Sequence, residues 1–343
     1  MQESGKGPAL TRRSTMLALG AAASGLGGAA LAQTAEPPEA LVKAAQAERE
    51  IVLYTGATAN IIDRLSAAFG ARYGIKISFL RLGGGPLLQR YSAEAEVGNI
   101  AADIIFVAGG GNQFAAAAFP KGWIEPPADL PVVQSGVFPK RFMRAASAII
   151  QLGPWVITYN TDKLREQDAP KDWPDLLAPR FKGQILMPEL ASTDAVVQFW
   201  AAIADKYGIE YLTRIRDQQP RWFADAVPSL QALAAGEGMV QIPITGQAIS
   251  AVVAKGAPVG TVTPDYTTGV EMQLMLTARG KAKHPNAARL LANFVMSPEG
   301  NKIFNADKGS ASVYDPDNLP KHYVSPQADV TGRRAELAKA LGK

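Results

Sequence analysis

Ile51-Val52-Leu53-Tyr54-Thr55-Gly56 decides the fold: four consecutive apolar residues closing on a Thr-Gly turn are a short buried strand. Beyond it, Ile61, Leu65, Ala68 and Phe69 stand at i, i+4, i+7 and i+8, and the spacing predicts a helix over 61–73. Residues 75–81 alternate as a second strand, broken by Gly83-Gly84-Gly85 before a helix over 86–97 with proline in its first turn. Residues 102–107 form a third strand, closed by Gly109-Gly110-Gly111. This β-α-β-α-β order predicts a mainly parallel sheet with helices on both faces.

Working outward, 148–159 is a long apolar run interrupted by Gly153-Pro154, read as a strand that carries the chain from one lobe into another. A second α/β series follows, with strands at 183–187, 239–243 and 259–263 and helices at 193–207, 227–235 and 246–255. Residues 273–278 are expected to return as a strand, and 286–296 and 298–307 as helices of the first lobe. Residues 33–39 read as a polar, Pro-containing lead-in, and no internal repeat is visible.

At the start of the chain, Thr11-Arg12-Arg13-Ser14 precedes an uncharged Ala/Gly/Leu stretch ending Ala30-Leu31-Ala32. A basic segment, an apolar segment and a small-x-small site make an export leader, residues 1–32, of twin-arginine type and cut after Ala32. Its seventeen apolar residues are short and weakly hydrophobic for a membrane anchor. Cleavage leaves about 311 residues of net charge about +2, enough for two lobes and without the basic tract of a nucleic-acid binder. The chain has no cysteine and two histidines. Disulfides, thiolate nucleophiles and Cys-ligated metals are excluded, and a Ser-His-Asp triad has little to draw on. No cofactor or metal is expected.

Several segments assemble into a recognisable order: Ile51–Tyr54, Arg81–Arg90, Ala102-Asp103-Ile104, Tyr159-Asn160-Thr161, Ala169–Leu177, Phe181–Ile185, Gly256–Val259 and His284–Ala288. Together they resemble the periplasmic solute-binding proteins of ABC importers, in the ferric-iron/polyamine/phosphonate-type branch. The resemblance implies an α/β periplasmic binding protein type II fold, with two α/β lobes joined by a hinge and a ligand cleft between them. It places 36–148 with 264–318 in lobe 1, and 149–263 with 319–343 in lobe 2. It also implies a monomer in the periplasm that closes on a small-molecule ligand and hands it to an inner-membrane permease, with no catalytic group.

Ferric-iron members of this branch hold the metal with adjacent tyrosines after a Gly-Glu turn. Here the turn is Gly236-Glu237-Gly238 and the following 241–248 contains no tyrosine. Fe³⁺ prefers charged oxygen donors, which Thr245 and Gln247 do not offer. The remaining candidates each have a structural alternative. Ser192, Thr193 and Asp194 open a helix whose N–H groups suit an anion, or form an ordinary cap. Thr55, Ala57, Thr58 and Asn60 follow the first strand and line a lobe wall, or a solvent loop. Arg81 is placed to pair with a carboxylate or phosphonate, or to make a surface ion pair. Gly84 and Gly110 permit close backbone approach or simply turn the chain, and Asn112 follows the second glycine run. Trp222 and Tyr266 stack on an organic ligand or pack in the core. Gln247 lies where the tyrosines would be, Asp265 and Glu271 are the acidic candidates for a ligand amine, and His284 precedes a helix.

The function expected is capture of a small organic anion or zwitterion: a phosphonate, phosphate ester or carboxylate. Polyamine or ferric-iron binding on the same fold is the alternative within the class. From other classes, an exported hydrolase or a sensor-input subunit remains open, although no nucleophile elbow, metal cluster or Walker loop is present.

Overall fold

The computed structural model describes residues 1–2, 35–190, 192–307, 309–315, 320–327 and 330–343; the expected leader lies outside them from residue 3 onward. The first lobe begins α1 (Glu39–Glu48), β1 (Glu50–Thr55), α2 (Ala59–Tyr73), β2 (Lys76–Arg81), α3 (Gly84–Glu96), β3 (Ile104–Ala108), α4 (Gly111–Ala118) and β4 (Ile124–Glu125). Next comes β5 (Ala148–Asn160), and then β6 (Ile185–Pro188), α5 (Asp194–Tyr207), α6 (Ile209–Asp217), β7 (Arg221–Phe223) and α7 (Ala226–Ala234). The second series continues with β8 (Val240–Thr245), α8 (Gly246–Val253), β9 (Val259–Val262) and β10 (Tyr266–Thr267). The chain closes with β11 (Gly269–Thr277), α9 (Pro285–Met296), α10 (Pro298–Phe304), β12 (His322–Tyr323) and α11 (Arg334–Leu341).

The sheet runs β2-β1-β3-β11-β5-β8-β6-β7. β1 lies parallel between β2 and β3, with Leu53 opposite Phe79 on one side and Ile104 on the other. Alternation then sends successive side chains to opposite faces. Leu53 joins a core with Ile62, Phe69, Leu290 and Phe304, while Tyr54 joins Leu87, Tyr91, Ala115 and Met275 on the other face. The second lobe repeats the device: Ile185 packs with Trp173, Phe199 and Trp200, and Leu186 with Leu230 and Ile244. Each large side chain so buried contributes about 1.5–3 kcal/mol.

β5 is one strand, as expected, and is buried along all 13 residues, Gly153 and Pro154 included. Its first half pairs antiparallel with β11 and its second half with β8 and β9. Pro154, which has no N–H to give a ladder, sits at the changeover opposite Gly269. A Cβ on Gly269 would stand 2.6 Å from the Gly153 carbonyl oxygen, so glycine is what lets the two crossing strands approach. Four further helices, α1, α4, α6 and α11, occupy stretches where no helix was expected. α11 packs Leu337 and Leu341 into the second lobe's core.

Candidate functional site

Because β1, β2 and β3 are parallel neighbours, the turns that follow them meet at one edge of the sheet. Leu82 N donates to Thr55 O at 3.1 Å and Gly56 N to Phe106 O at 2.9 Å. A Cβ on Gly84 would lie 2.5 Å from Ala108 O, so the turns after β2 and β3 touch through backbone. Helices α2, α3 and α4 begin at these turns, after Thr58, Gly83 and Gly110. None of the three has a side-chain cap or an acidic residue in its first turn. A helix's first N–H groups have no intrahelical acceptor and carry its positive end, so this edge offers donors to a negative group. Two other helices are closed off: Thr193 Oγ1 caps α5 by accepting Val196 N at 3.3 Å, and Ser297 caps α10, whereas α8 on the opposite lobe is uncapped like the three.

A cavity of about 540 Å³ lies in front of this edge, between the lobes. Ala57, Thr58 and Asn60 line it from the first lobe, Gln247 and Ser250 from α8, and Gln151, Met272, Asp307 and Ser310 from the crossing segments. Its polar groups are mostly neutral. Gln247 Nε2 donates to Ser310 Oγ at 2.7 Å, bridging the lobes. Asp307, the carboxylate present, accepts from Asn60 Nδ2 and from Arg64 Nη1, both at 3.1 Å. A smaller cavity of about 30 Å³ adjoins at Val270 and is lined by Gly110, Asn112, Ala195, Gln198, Glu271 and Gln273. A third, of about 630 Å³, opens between Lys302 and Asp315 on one lobe and Thr261 and Thr263 on the other.

Of the residues singled out in the sequence, Ala57, Thr58, Asn60 and Gln247 meet in the front cavity, and Gly110 and Asn112 in the small one. Thr55 is fully buried, and its hydroxyl accepts from Ala57 N at 3.0 Å, shaping the turn. Arg81 is exposed at the end of β2; its Nε donates to Ala57 O at 3.0 Å, and no carboxylate among the described residues holds its two terminal nitrogens. Ser192 Oγ is buried beside the start of α5 and has no hydrogen-bond partner among the described residues. Asp194 faces away, 2.6 Å from Arg334 Nη2.

Two aromatic candidates go elsewhere. Trp222 lies on β7, at the edge of the sheet, with Lys343 Nζ 4.3 Å from its ring centroid. Tyr266 donates its hydroxyl to Ala202 O at 3.2 Å and packs edge-on against Tyr207. Each is held by second-lobe packing, and neither lines the cavities between the lobes. Asp265 pairs with Lys321 at 3.1 Å on the surface. His284 precedes α9 and bonds the buried Asp103 carboxylate through Nδ1 at 2.8 Å. Gln151, Gln198, Ser250, Asp307 and Ser310 were not singled out. For Gln151 the signal was present, a lone amide in an otherwise apolar strand.

Glu271 sits on β11 with its side chain almost wholly buried. Burial pushes its carboxyl above the ordinary carboxylate range, against the lowering pull of Ser325, Arg144 and Tyr323. Residues 320–327 form a strap here: Tyr323 reaches Glu271 Oε1 at 3.3 Å, Ser325 Oγ accepts from Arg144 at 2.9 Å, and Gln327 O accepts from Gln198 at 2.7 Å.

Two α/β lobes joined by crossing strands, with open helix starts facing a cavity between them, define a two-lobed solute-binding protein rather than an enzyme. The chain belongs to the family described as bacterial extracellular solute-binding protein, whose pattern matches residues 100–330. That description makes it a solute-binding protein of a class that works outside the cytoplasm. No helix among the described residues is long and apolar enough to cross a membrane. An uncharacterized protein of Haemophilus influenzae is 28% identical over 272 residues, 76% of each chain. Among solved structures, iron-bound HitA of Pseudomonas aeruginosa matches with a TM-score of 0.65 at 17% identity, over 86% of this chain and 99% of that one. AfuA of Actinobacillus pleuropneumoniae, with fructose-6-phosphate bound, matches at 0.56 and 22%, over 85% and 96%. The Atu4243–GABA receptor structure matches at 0.61 and 20%, over 85% and 96%. At these identities the likeness is one of fold.

Proposed function

We propose that the protein captures a small organic anion or zwitterion, such as a phosphonate, phosphate ester or carboxylate, by closing its lobes, and delivers it to an inner-membrane permease. The observation that carries this is the row of three neighbouring helix starts, uncapped and free of acidic residues, beside the unpaired end of Arg81. The ligand favours the closed form through contacts that the open form lacks. Neutral amides and hydroxyls of Asn60, Gln151, Gln247 and Ser310 suit the ligand's uncharged body. HitA binds iron, but among the described residues the front cavity has no tyrosine, and the one carboxylate lining it is already engaged. The same shortage of carboxylates disfavours a polyamine. AfuA with a sugar phosphate and the GABA receptor are precedents on this fold for an anion and a zwitterion. In this proposal the mature protein works in the periplasm after loss of residues 1–32 by the twin-arginine route, with 36–148 and 264–318 moving against 149–263 and 319–343.

Thermal unfolding against phosphonates, phosphate esters, carboxylates, putrescine and ferric citrate tests this. A ligand selective for the folded form raises stability by about 2.7 kcal/mol at a hundredfold excess over Kd. The expected result is a shift with an anion that Arg81→Ala weakens by about tenfold or more in affinity, through loss of charge-assisted bonds. A shift confined to iron or to putrescine would refute anion capture.

A further inference from the structure

Gly309, Ser310 and Ala311 lie where both lobes and a crossing strand meet. Ala311 is tied to β5 by a pair of bonds: its N donates to Leu152 O at 2.8 Å, and its O accepts from Leu152 N at 3.1 Å. Gly309 closely faces Gly246 at the start of α8, and Ser310 lines the front cavity of about 540 Å³. Two amides converge on the Ser310 hydroxyl. Gln247 Nε2 of α8 donates to Oγ at 2.7 Å, and Gln151 Nε2 of β5 donates to it at a long 3.5 Å.

A serine hydroxyl has two lone pairs and one proton. The amides engage the lone pairs of Ser310 Oγ, and its proton goes to no acceptor among the described residues. Each amide spends an N–H on Ser310, while Gln151 Oε1 and Gln247 Oε1 accept nothing among the described residues. Neither oxygen is sealed from water, in contrast to the enclosed Oε1 atoms of Gln218 and Gln241. Gln151 is 4% exposed on a strand buried throughout, and the front cavity, which it lines, is the space its amide opens to. The cavity wall therefore presents one unused donor flanked by two unused acceptors, all three uncharged.

We infer that Ser310, held between Gln151 and Gln247, reads a hydroxyl group on the body of the ligand, so that the captured solute is a hydroxylated anion. This rests on the anion capture proposed above and narrows its substrate class. A ligand hydroxyl accepts the Ser310 proton and gives its own to an amide oxygen, so one atom serves both kinds of group. A bare alkyl chain leaves all three without partners. An ammonium group serves only the oxygens, and a carboxylate or phosphate oxygen meets their negative ends. Giving up its proton also makes Oγ a better acceptor, so the same contact strengthens the Gln247 bond that bridges the lobes. Recognition of the hydroxyl and closure of the lobes are thereby coupled at one side chain.

The test is binding calorimetry with pairs matched in charge and chain length that differ in hydroxyl groups: glycerol 3-phosphate against propyl phosphate, and gluconate against hexanoate. The expected result is that the hydroxylated member of a pair binds the parent protein about tenfold tighter or more. Ser310→Ala should bring the two members to within about twofold of each other, and Ser310→Thr, which keeps the hydroxyl, should retain the preference. The comparison on the parent stands even if a variant folds poorly. Equal binding within each pair, or a preference that survives Ser310→Ala, would overturn the hydroxyl assignment and leave anion capture standing. Glycerol binding as tightly as glycerol 3-phosphate, or no binding by any member of the pairs, would sink both.

Discussion

Gly246→Ala should hold the lobes apart while leaving the fold at least as stable. Gly246 is the first residue of α8, with ordinary helical backbone, and faces Gly309 across the gap between the lobes. A Cβ at position 246 would lie 2.8 Å from Gly309 Cα, whereas ordinary contact begins at 3.4 Å. The two segments must therefore separate by about 0.6 Å at this point. Gly309 has little freedom to yield, since its φ is +84° and the next residues are tied to β5 through paired bonds between Leu152 and Ala311. The same separation stretches the Gln247–Ser310 bond from 2.7 Å toward its limit. Overpacking of this kind costs about 1–3 kcal/mol, and it falls on the approach of the lobes rather than on either core. Ligand affinity should drop by about tenfold or more, while replacement of a helical glycine stabilises the unliganded protein by up to about 1 kcal/mol. The chain has no cysteine, so Lys43→Cys and Asp217→Cys would carry a fluorophore pair, one on each lobe, with no native thiol to remove. The expected readout is a longer mean distance together with an unchanged or higher melting midpoint. Unchanged distance and unchanged affinity would refute the idea that this backbone contact limits closure.

Gly84→Ala places a Cβ 2.5 Å from the Ala108 carbonyl and must displace the turn after β3 by about 0.9 Å, so both stability (by about 1–3 kcal/mol) and anion affinity should fall, as denaturant titration and calorimetry would show. Glu271→Gln should raise the melting midpoint at neutral pH. Burial holds the Glu271 carboxyl above its unfolded value, so the folded state binds the extra proton, and stability from this group declines as pH rises through that interval. Parent and variant should converge below about pH 4, and a parent that stays more stable at pH 7 would show that Arg144 outweighs burial. Asp103→Ala should cost about 3 kcal/mol or more in urea, because this fully buried carboxylate accepts from Val52 N at 2.8 Å and from Lys283 N and His284 N at 2.9 Å. A loss under about 1 kcal/mol would mean that those donors find other acceptors.

The parallel first half of the sheet was legible because periodicity is local: apolar runs and helical faces between 51 and 111 need no distant information. α1 escaped because it buries little, Ala45 being its one fully enclosed residue, and so lacked a face to read. The return strand was expected to begin at Gln273, but it begins at Gly269, and the four residues gained include Val270 and Glu271 of the cavities. A charge inside a buried strand looks like a strand's end until a partner is known. For Trp222 and Tyr266 the side chain fitted stacking and packing equally well, and only tertiary contacts assigned them to packing. Conversely, the edge where three helix starts meet was visible as glycine runs, while the absence of caps on those helices needed the structure.

Since β5 is laddered into both halves of the sheet, the lobes cannot melt like beads on a string. Breaking one half frays the neighbour's pairing, so calorimetry should record one heat-absorption peak rather than two. Opening and closing must then be carried as torsion in a two-strand ribbon, and amides of 155–158 should exchange with deuterium as slowly as those of the cores while the lobes move freely.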